Sequence, residues 1–181
     1  MSKVVVVMYV SMDGVVEGPS WTSSFWNAEH AKYQHGQLIA SRALLLGRVT
    51  YEEFVASWPM RDESDAFTAR MNRIPKYVAT TTLDKAEWNS VILEGDVVEQ
   101  VALLKSEPGE DLLVYGSVTL VDHLVANGLV DELKLFVHPV VVGTGRRLFC
   151  DGAVGTTWTL AGTAAFSSGA VVLDYRPAKA P

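Results

Sequence analysis

Four short stretches of this chain carry residue types suited to gripping a phosphate-bearing ligand, and each closes an apolar run. "LLLG" stops at Gly47 and is followed by Arg48 and Thr50. A guanidinium offers a fork of donors that matches a phosphate, and a threonine in the first turn of a helix can both cap and touch a ligand. "KYVATTT" ends in Thr80, Thr81 and Thr82, three hydroxyls suited to phosphate or ribose. "DLLVY" runs into Gly116-Ser117. There the missing Cβ lets backbone approach closely, and the amides of the next helix favour an anion. "VVVVMYV" opens onto "SMDGVVEGPS", a turn-rich loop that contains the carboxylate Asp13. Each stretch has a plain structural explanation: a turn and cap at Gly116-Ser117, a solvated or salt-bridged Arg48, simple β-propensity at the threonines. Their joint occurrence, in order and at strand ends, points to a nucleotide.

The elements between them decide whether these residues can meet. Val4 to Val10 is a β-branched run expected of a strand covered on both faces. A helix is expected over about Asn27 to Ala40, then a strand over Ala43 to Leu46. Tyr51, Phe54, Val55 and Trp58 form a helical stripe that Pro59 ends. "KYVATTT" and "SVIL" read as strands, and Asp96 and Glu99 have capping-box spacing around the stripe Val97, Val98, Val101, Leu104. "DLLVYG" is a further strand. A helix follows, with Val118, Val121, Leu124 and Val125 facing one way and Asn127-Gly128 closing it. "ELKLFVHPVVV", "WTLAG" and "AVVLDY" read as a meander or long hairpin. The pattern is that of an α/β fold: a mainly parallel twisted sheet, antiparallel C-terminal strands, and helices on both faces. Ligands bind such sheets beyond the carboxyl ends of the parallel strands, where the four stretches converge.

Composition narrows the function. The 181 residues suit a single domain over 1–181, with a tail after about 176 expected to be loose. Net charge is −6 without a basic cluster, which argues against nucleic acid. Cys150 is the only cysteine, so no internal disulfide, cysteine metal site or dithiol couple can form, and no metal is expected. "MSKVVVVMYV" is too short to span a bilayer and lacks a signal-peptide cleavage pattern, so a cytoplasmic protein with no membrane partner is expected. "GTGRRL" at Gly143 to Leu148 resembles a glycine-rich phosphate loop but lacks the third glycine and opens no evident helix. A Ser-His-Asp hydrolase is set aside because no G-x-S-x-G elbow is present.

"SMDGVVEG", "LLLGRVTYEEF", "KYVATTTL" and "VYGSVTLVDHLVANGLVDELKLFVHPVVVGTGRRLF", with "AVVLDYRP" as a last strand, resemble the dihydrofolate-reductase-like superfamily. The likeness is to the branch containing the C-terminal reductase domain of the bifunctional riboflavin-biosynthesis deaminase/reductase, and it covers nearly the whole chain. It implies the three-layer fold of that superfamily and NADPH as hydride donor. By similarity, Gly47 and Arg48 shape the cofactor site, and Arg48 with Thr50 receives the ribose 2′-phosphate. Thr80, Thr81 and Thr82 lie along the adenosine side. The amides of Gly116, Ser117, Val118 and Thr119 hold the pyrophosphate, and Val10 and Val16 lie near the nicotinamide.

On the substrate side, dihydrofolate reductases carry an acidic residue early in the first helix, and here that position falls near Ala31. Asp13 and Glu29 are the candidate carboxylates; as structural residues they read as a turn residue paired with Gly14 and a solvated helix position. Trp26 and Tyr33, with Trp21 and Phe25, are candidates for a slot holding a flat heterocycle, although aromatics so spaced also suit a core. Lys32 and Arg42 are the nearby basic residues. His138 reads as a strand residue and His123 as the outer face of a helix. No deaminase zinc signature can be built with one cysteine. The resemblance implies reduction of a small planar heterocycle: a pterin, a flavin-like ring or a pyrimidine precursor. Dihydrofolate reductase proper, a standalone riboflavin-pathway reductase, and a non-catalytic NADPH- or heterocycle-binding protein remain alternatives. A homodimer through the C-terminal strands is expected by analogy.

Overall fold

In the computed structural model, which describes residues 1–149 and 152–178, β1 spans Val4–Ser11 at the centre of one sheet. Only Tyr9 of its eight residues is not fully buried, as a strand covered on both faces requires. The other strands are β2 (Ser41–Gly47), β3 (Lys76–Ala79), β4 (Ser90–Leu93), β5 (Asp111–Tyr115), β6 (Glu132–His138), β7 (Trp158–Ala165) and β8 (Val171–Pro177). Their order across the sheet is β4-β3-β2-β5-β1-β6-β8-β7. The first six run parallel; β8 pairs antiparallel with β6, and β7 with β8. The α/β reading, with its antiparallel C-terminal strands, holds.

Five helices flank the sheet: α1 (Ala28–Ile39), α2 (Arg48–Ser57), α3 (Ala66–Arg73), α4 (Val97–Ser106) and α5 (Val118–Ala126). Strand alternation divides the core in two. Val4, Val6, Met8 and Val10 pack with Val101 and Leu104 of α4 and with Leu120, Val121, Leu124 and Val125 of α5. Val5 and Val7 pack on the other side with Leu38 of α1, Tyr51 of α2 and Met71 of α3. Register sets the functional rim: Leu45 lies opposite Val114, Gly47 opposite Ala79, and Val7 opposite Tyr115. The ends of β2, β3 and β5 are therefore level.

Three local features differ from the sequence reading. β3 stops at Ala79, and the threonines form a turn instead of a strand end. Thr80 Oγ1 accepts from the amides of Thr82 and Leu83 at 3.1 and 3.2 Å, a local alternative to ladder bonding. α3 is additional, as is a 3-10 turn over Pro19–Phe25. α3 is only eight residues long, too short for a persistent stripe, and its start is marked chiefly by Asp65, which accepts from the Thr68 amide at 2.9 Å. Arg176 and Pro177 still belong to β8, while Cys150 and residues 179–181 lie outside the described residues. No helix among the described residues is long and apolar enough to cross a membrane.

One buried cation marks the β3 side of the sheet. Lys76 is fully buried, its Nζ donating to the Asn72 carbonyl at 3.1 Å and lying 3.7 Å from the Trp88 ring centroid. Burial, helped by nearby Arg70, pulls the amine down to about 7. The unfolded lysine titrates near 10.5, so the folded chain holds fewer protons between those two values. Stability rises with pH through that window, and the full cost of the buried charge is felt below it. Lys76→Met is therefore expected to raise stability by more than ~1 kcal/mol at pH 6.5, with the gain shrinking toward pH 10. Urea midpoints of both proteins across that range check this; a difference independent of pH contradicts it.

Candidate functional site: a cleft along the strand ends

A cleft of about 1550 Å³ runs along the carboxyl ends of β1, β2, β3 and β5 and continues between α1 and the α2–α3 pair. It exceeds the ~300–1,000 Å³ of an ordinary small-molecule pocket and has room for two ligands side by side. Gly47, Arg48, Thr50, Thr80, Thr81, Thr82, Gly116, Ser117, Val118, Thr119, Val16 and Trp26 all line it. Val10, Asp13, Glu29 and Tyr33 are not part of its lining.

The Gly47–Thr50 and Gly116–Ser117 turns are tied to one another. Ser117 Oγ accepts from the Gly47 amide at 2.9 Å, and Thr50 Oγ1 accepts from the Ser117 amide at 3.0 Å. Gly116 and Ser117 both have left-handed backbone, with φ of 53° and 57°. Glycine suits the first because a Cβ there would lie 3.4 Å from Thr50 Oγ1. The arrangement reassigns two of the four amides expected to face an anion. The Gly116 amide donates to the Val7 carbonyl at 3.4 Å and the Ser117 amide to Thr50. Val118 and Thr119 keep first-turn amides, which have no partner within any helix.

The helices that begin along this rim differ in capping, since Asp65 of capped α3 and Val97 of capped α4 line the cleft as well. α1 is capped by Asn27, α3 by Asp65 and α4 by Asp96, each accepting from an amide three residues on. α2 and α5 have no side-chain cap, and both begin in the cleft. Two uncapped helix N-termini facing one cavity supply free donors and partial positive charge at the same place. Arg48 adds a full charge. Its only described ion pair is with Glu52 at 2.8 Å, nearly half exposed on both sides and therefore weakly held.

Arg146 is a cleft residue that sequence reading did not single out. Its guanidinium donates to Thr119 Oγ1 at 2.8 Å and to Asp122 at 3.0 Å, and it lines the rim beside α5. It belongs to "GTGRRL", where Gly145 serves loop packing. A Cβ on Gly145 would meet Val15 Cγ1 at 3.0 Å, and the Val16 amide donates to the Arg146 carbonyl at 2.9 Å.

Asp13 stitches the same two loops together. Its carboxylate accepts from Ser11 Oγ at 2.6 Å and from the amides of Val142 and Gly143 at 3.0 and 2.8 Å. The Ser11 hydroxyl and then the two amides hold it down to about 2, so it stays ionised. Glu29 accepts from the Ser167 hydroxyl and amide at 2.6 and 2.7 Å and from Asn27, pinning the β7–β8 turn to α1. The Ser167 bonds hold this carboxyl below its usual value. Both candidate acids therefore sit off the cleft as loop anchors.

The aromatic candidates divide as well. Trp26 lines the cleft and lies on His30 at 4.3 Å. Tyr33 turns into the core against Phe136 and Phe166. Trp21 and Phe25 cover His138 edge-on, and the exposed side of α5 carries His123. His30 and His138 are both fully buried. Burial, with His138 nearby, pushes His30 down to about 4, so it is neutral at physiological pH. Lys32 lines the cleft, whereas Arg42 bonds Ser2 and the Leu104 carbonyl far from it. The polar groups Tyr9, Gln34 and Tyr115 also line the cleft. Strand alternation placing Tyr9 and Tyr115 on the α1 face was their only signal in the sequence.

The family model described as the RibD C-terminal domain matches residues 2–172. The chain belongs to this family. Among curated relatives, the uncharacterized protein YyaP of Bacillus subtilis (strain 168) is 27% identical over 176 residues, covering 96% of this chain and 94% of its own length. A crystal structure from Shewanella sp. PV-4, named provisionally as a riboflavin biosynthesis protein, superimposes with a TM-score of 0.78 at 17% identity, covering 99% of this chain and 100% of that one. A diaminohydroxyphosphoribosylaminopyrimidine deaminase/5-amino-6-(5-phosphoribosylamino)uracil reductase from Thermotoga maritima matches with a TM-score of 0.67 at 15% identity. That alignment takes in 98% of this chain but 57% of the Thermotoga protein. At these identities the structures establish a shared fold, here that of RibD-type reductases.

The link between the two RibD-domain turns is open to direct test. Thr50→Val strands the Ser117 amide and Ser117→Ala strands that of Gly47. Each is expected to cost about 1–2 kcal/mol, read as a lower urea midpoint. The double variant is expected to lose less than the sum, because the two bonds hold one junction. Unchanged midpoints in both single variants contradict the interlock.

Proposed function

We propose that this RibD-domain protein is an NADPH-dependent reductase of a small planar heterocycle. The observation that carries the reading is the pair of uncapped helix N-termini, α2 and α5, opening into one cleft beside Gly116. A dinucleotide fits these residues. The first-turn amides of Val118 and Thr119 suit a pyrophosphate, and Arg146 stands beside them. Arg48, together with the threonine turn Thr80–Thr82, suits a ribose 2′-phosphate. Thr50 serves by holding Ser117 in its left-handed conformation. When bound, NADPH supplies a hydride.

What remains is the work of this chain's own side chains. Trp26, Phe54, Trp58 and Phe67 give the α1–α3 side of the cleft flat apolar walls that orient a ring and exclude water. Asp13 and Glu29 are kept ionised by their hydrogen bonds, so neither holds a proton to give at neutral pH. The reading therefore takes protonation from water or from a neutral hydroxyl in the cleft. That neither of these two carboxylates faces the cleft also supports a second reading, binding without turnover. Single-turnover oxidation of NADPH with a panel of pterins, flavins and pyrimidines separates the two.

The proposal extends to a cytoplasmic homodimer. Supporting the dimer, β7 is one of the two outer strands of the sheet, with Leu160 half exposed on it.

Arg48→Ala is expected to weaken NADPH binding about tenfold while changing NADH binding by less than about threefold, as loss of a charge-assisted phosphate contact predicts. Fluorescence titration with both nucleotides checks this. Equal losses for the two would mean that Arg48 does not read the 2′-phosphate.

A further inference from the structure

Where α1 faces the ends of β1 and β5, the cleft wall carries polar groups that the protein alone leaves unsatisfied. Gln34 is 2% exposed and lines the cleft. Its Nε2 donates to Tyr9 Oη at 2.8 Å, while its Oε1 is buried with no partner among the described residues. Tyr115 Oη is likewise buried and unpartnered. The two tyrosines come from neighbouring strands: Val7 pairs with Tyr115, and Tyr9 lies two residues further along the same face. Unsatisfied buried polar atoms are costly and uncommon, and two of them on one cleft, Gln34 Oε1 and Tyr115 Oη, call for a partner that no described residue provides.

The chemistry of that partner follows from the donor and acceptor count. With Nε2 donating to Tyr9, Gln34 offers an acceptor and the Tyr9 hydroxyl keeps its proton to donate. With the amide turned over, Tyr9 donates to Gln34, the amide NH2 becomes the free donor and the phenol oxygen the free acceptor. Either way the pair presents one donor beside one acceptor. A cyclic amide presents the complement, an N–H adjacent to a carbonyl. Charge favours the same class: burial raises both phenols well above their ordinary range, so they stay neutral donors. The carboxylates that line the cleft, Glu17, Glu53 and Asp65, are all exposed at its rim. The apolar walls named above fit a flat ring and reject a flexible acid.

We propose that Gln34, Tyr9 and Tyr115 form the subsite that reads the –NH–C(=O)– edge of the planar heterocycle bound in this cleft. The inference rests on the reading of the protein as a heterocycle reductase and assigns the residues that choose among heterocycles. Tyr115 distinguishes recognition from scaffolding. Its hydroxyl makes no bond among the described residues, so removing it is expected to leave the fold intact and to cost only ligand binding.

The test uses two probes, pteridin-4(3H)-one, which has one cyclic amide edge, and its 3-methyl derivative, which lacks the N–H. Quenching of tryptophan fluorescence gives their affinities for the full-length protein, with and without NADPH, and NADPH itself is titrated in parallel. The N–H probe is expected to bind at least about tenfold tighter than the methylated one. Gln34→Met is expected to abolish that preference. Tyr115→Phe is expected to weaken the N–H probe with a melting temperature unchanged or raised, which holds the inference to account even if Gln34→Met folds poorly. Equal affinity of the wild-type protein for the two probes, binding of neither, or a preference that survives both substitutions overturns it. A protein that binds NADPH but does not separate the probes loses this subsite and keeps the reductase reading. One that separates the probes without binding NADPH keeps the subsite and loses the cofactor.

Discussion

Everything at the rim depends on the reciprocal pair of hydrogen bonds between two strand-end turns, the Gly47 amide donating to Ser117 Oγ and the Ser117 amide donating to Thr50 Oγ1. β2 and β5 are neighbours in the sheet, but pairing alone fixes only the strands. Beyond Gly47 and Tyr115 the chain turns abruptly into helices on opposite faces, α2 over the second core and α5 over the first. The interlock sets how those helices leave the sheet, so that both uncapped N-termini open into one cavity. It also explains why a left-handed non-glycine residue is tolerated at Ser117: its amide and its hydroxyl are each satisfied by the facing turn.

A second layer of constraint comes from carboxylates employed as anchors. Asp13 joins the loop after β1 to the Val142-Gly143 backbone, and Glu29 joins α1 to the turn before β8. In each case a cluster of hydroxyl and amide donors keeps the carboxyl ionised. The loop after β1 contributes Val16, Glu17 and Gly18 to the cleft, so Asp13 acts on the shape of the cleft without facing into it. The cleft interior is left to aromatic walls and neutral polar groups, an environment for selecting a ring by shape and hydrogen bonding.

Much of this was legible in the sequence. The β-branched run at Val4–Val10, the helical stripe from Tyr51, and the glycine at the end of "DLLVYG" follow local rules that the fold obeys, and four strand-end stretches named the rim correctly as a place. Resemblance to a reductase superfamily carried the same residues to a nucleotide. What was not legible depends on distant pairings. The threonine run has strand propensity, yet Thr80 bonds its own downstream amides and ends the strand. Asp13 and Glu29 stood as candidate acids in the sequence because four of the donors they accept from, the Val142 and Gly143 amides and the Ser167 amide and hydroxyl, lie more than a hundred residues away in the chain. Tyr33 and Tyr9 are both aromatics on the same side of the sheet, and only packing shows that one is core and the other cleft. Gln34 carries no sequence signal at all: a glutamine in the middle of a helix reads as solvated until its burial is known.

The central claim is that the α2 and α5 N-termini form one dinucleotide site. The most direct test is a crystal structure of the protein with NADPH. The account predicts the pyrophosphate against the amides of Val118 and Thr119, the 2′-phosphate within reach of Arg48, and the nicotinamide directed toward the wall formed by Tyr9, Gln34 and Tyr115. Nucleotide bound on a different surface, or density absent from this cleft at saturating NADPH, would contradict it.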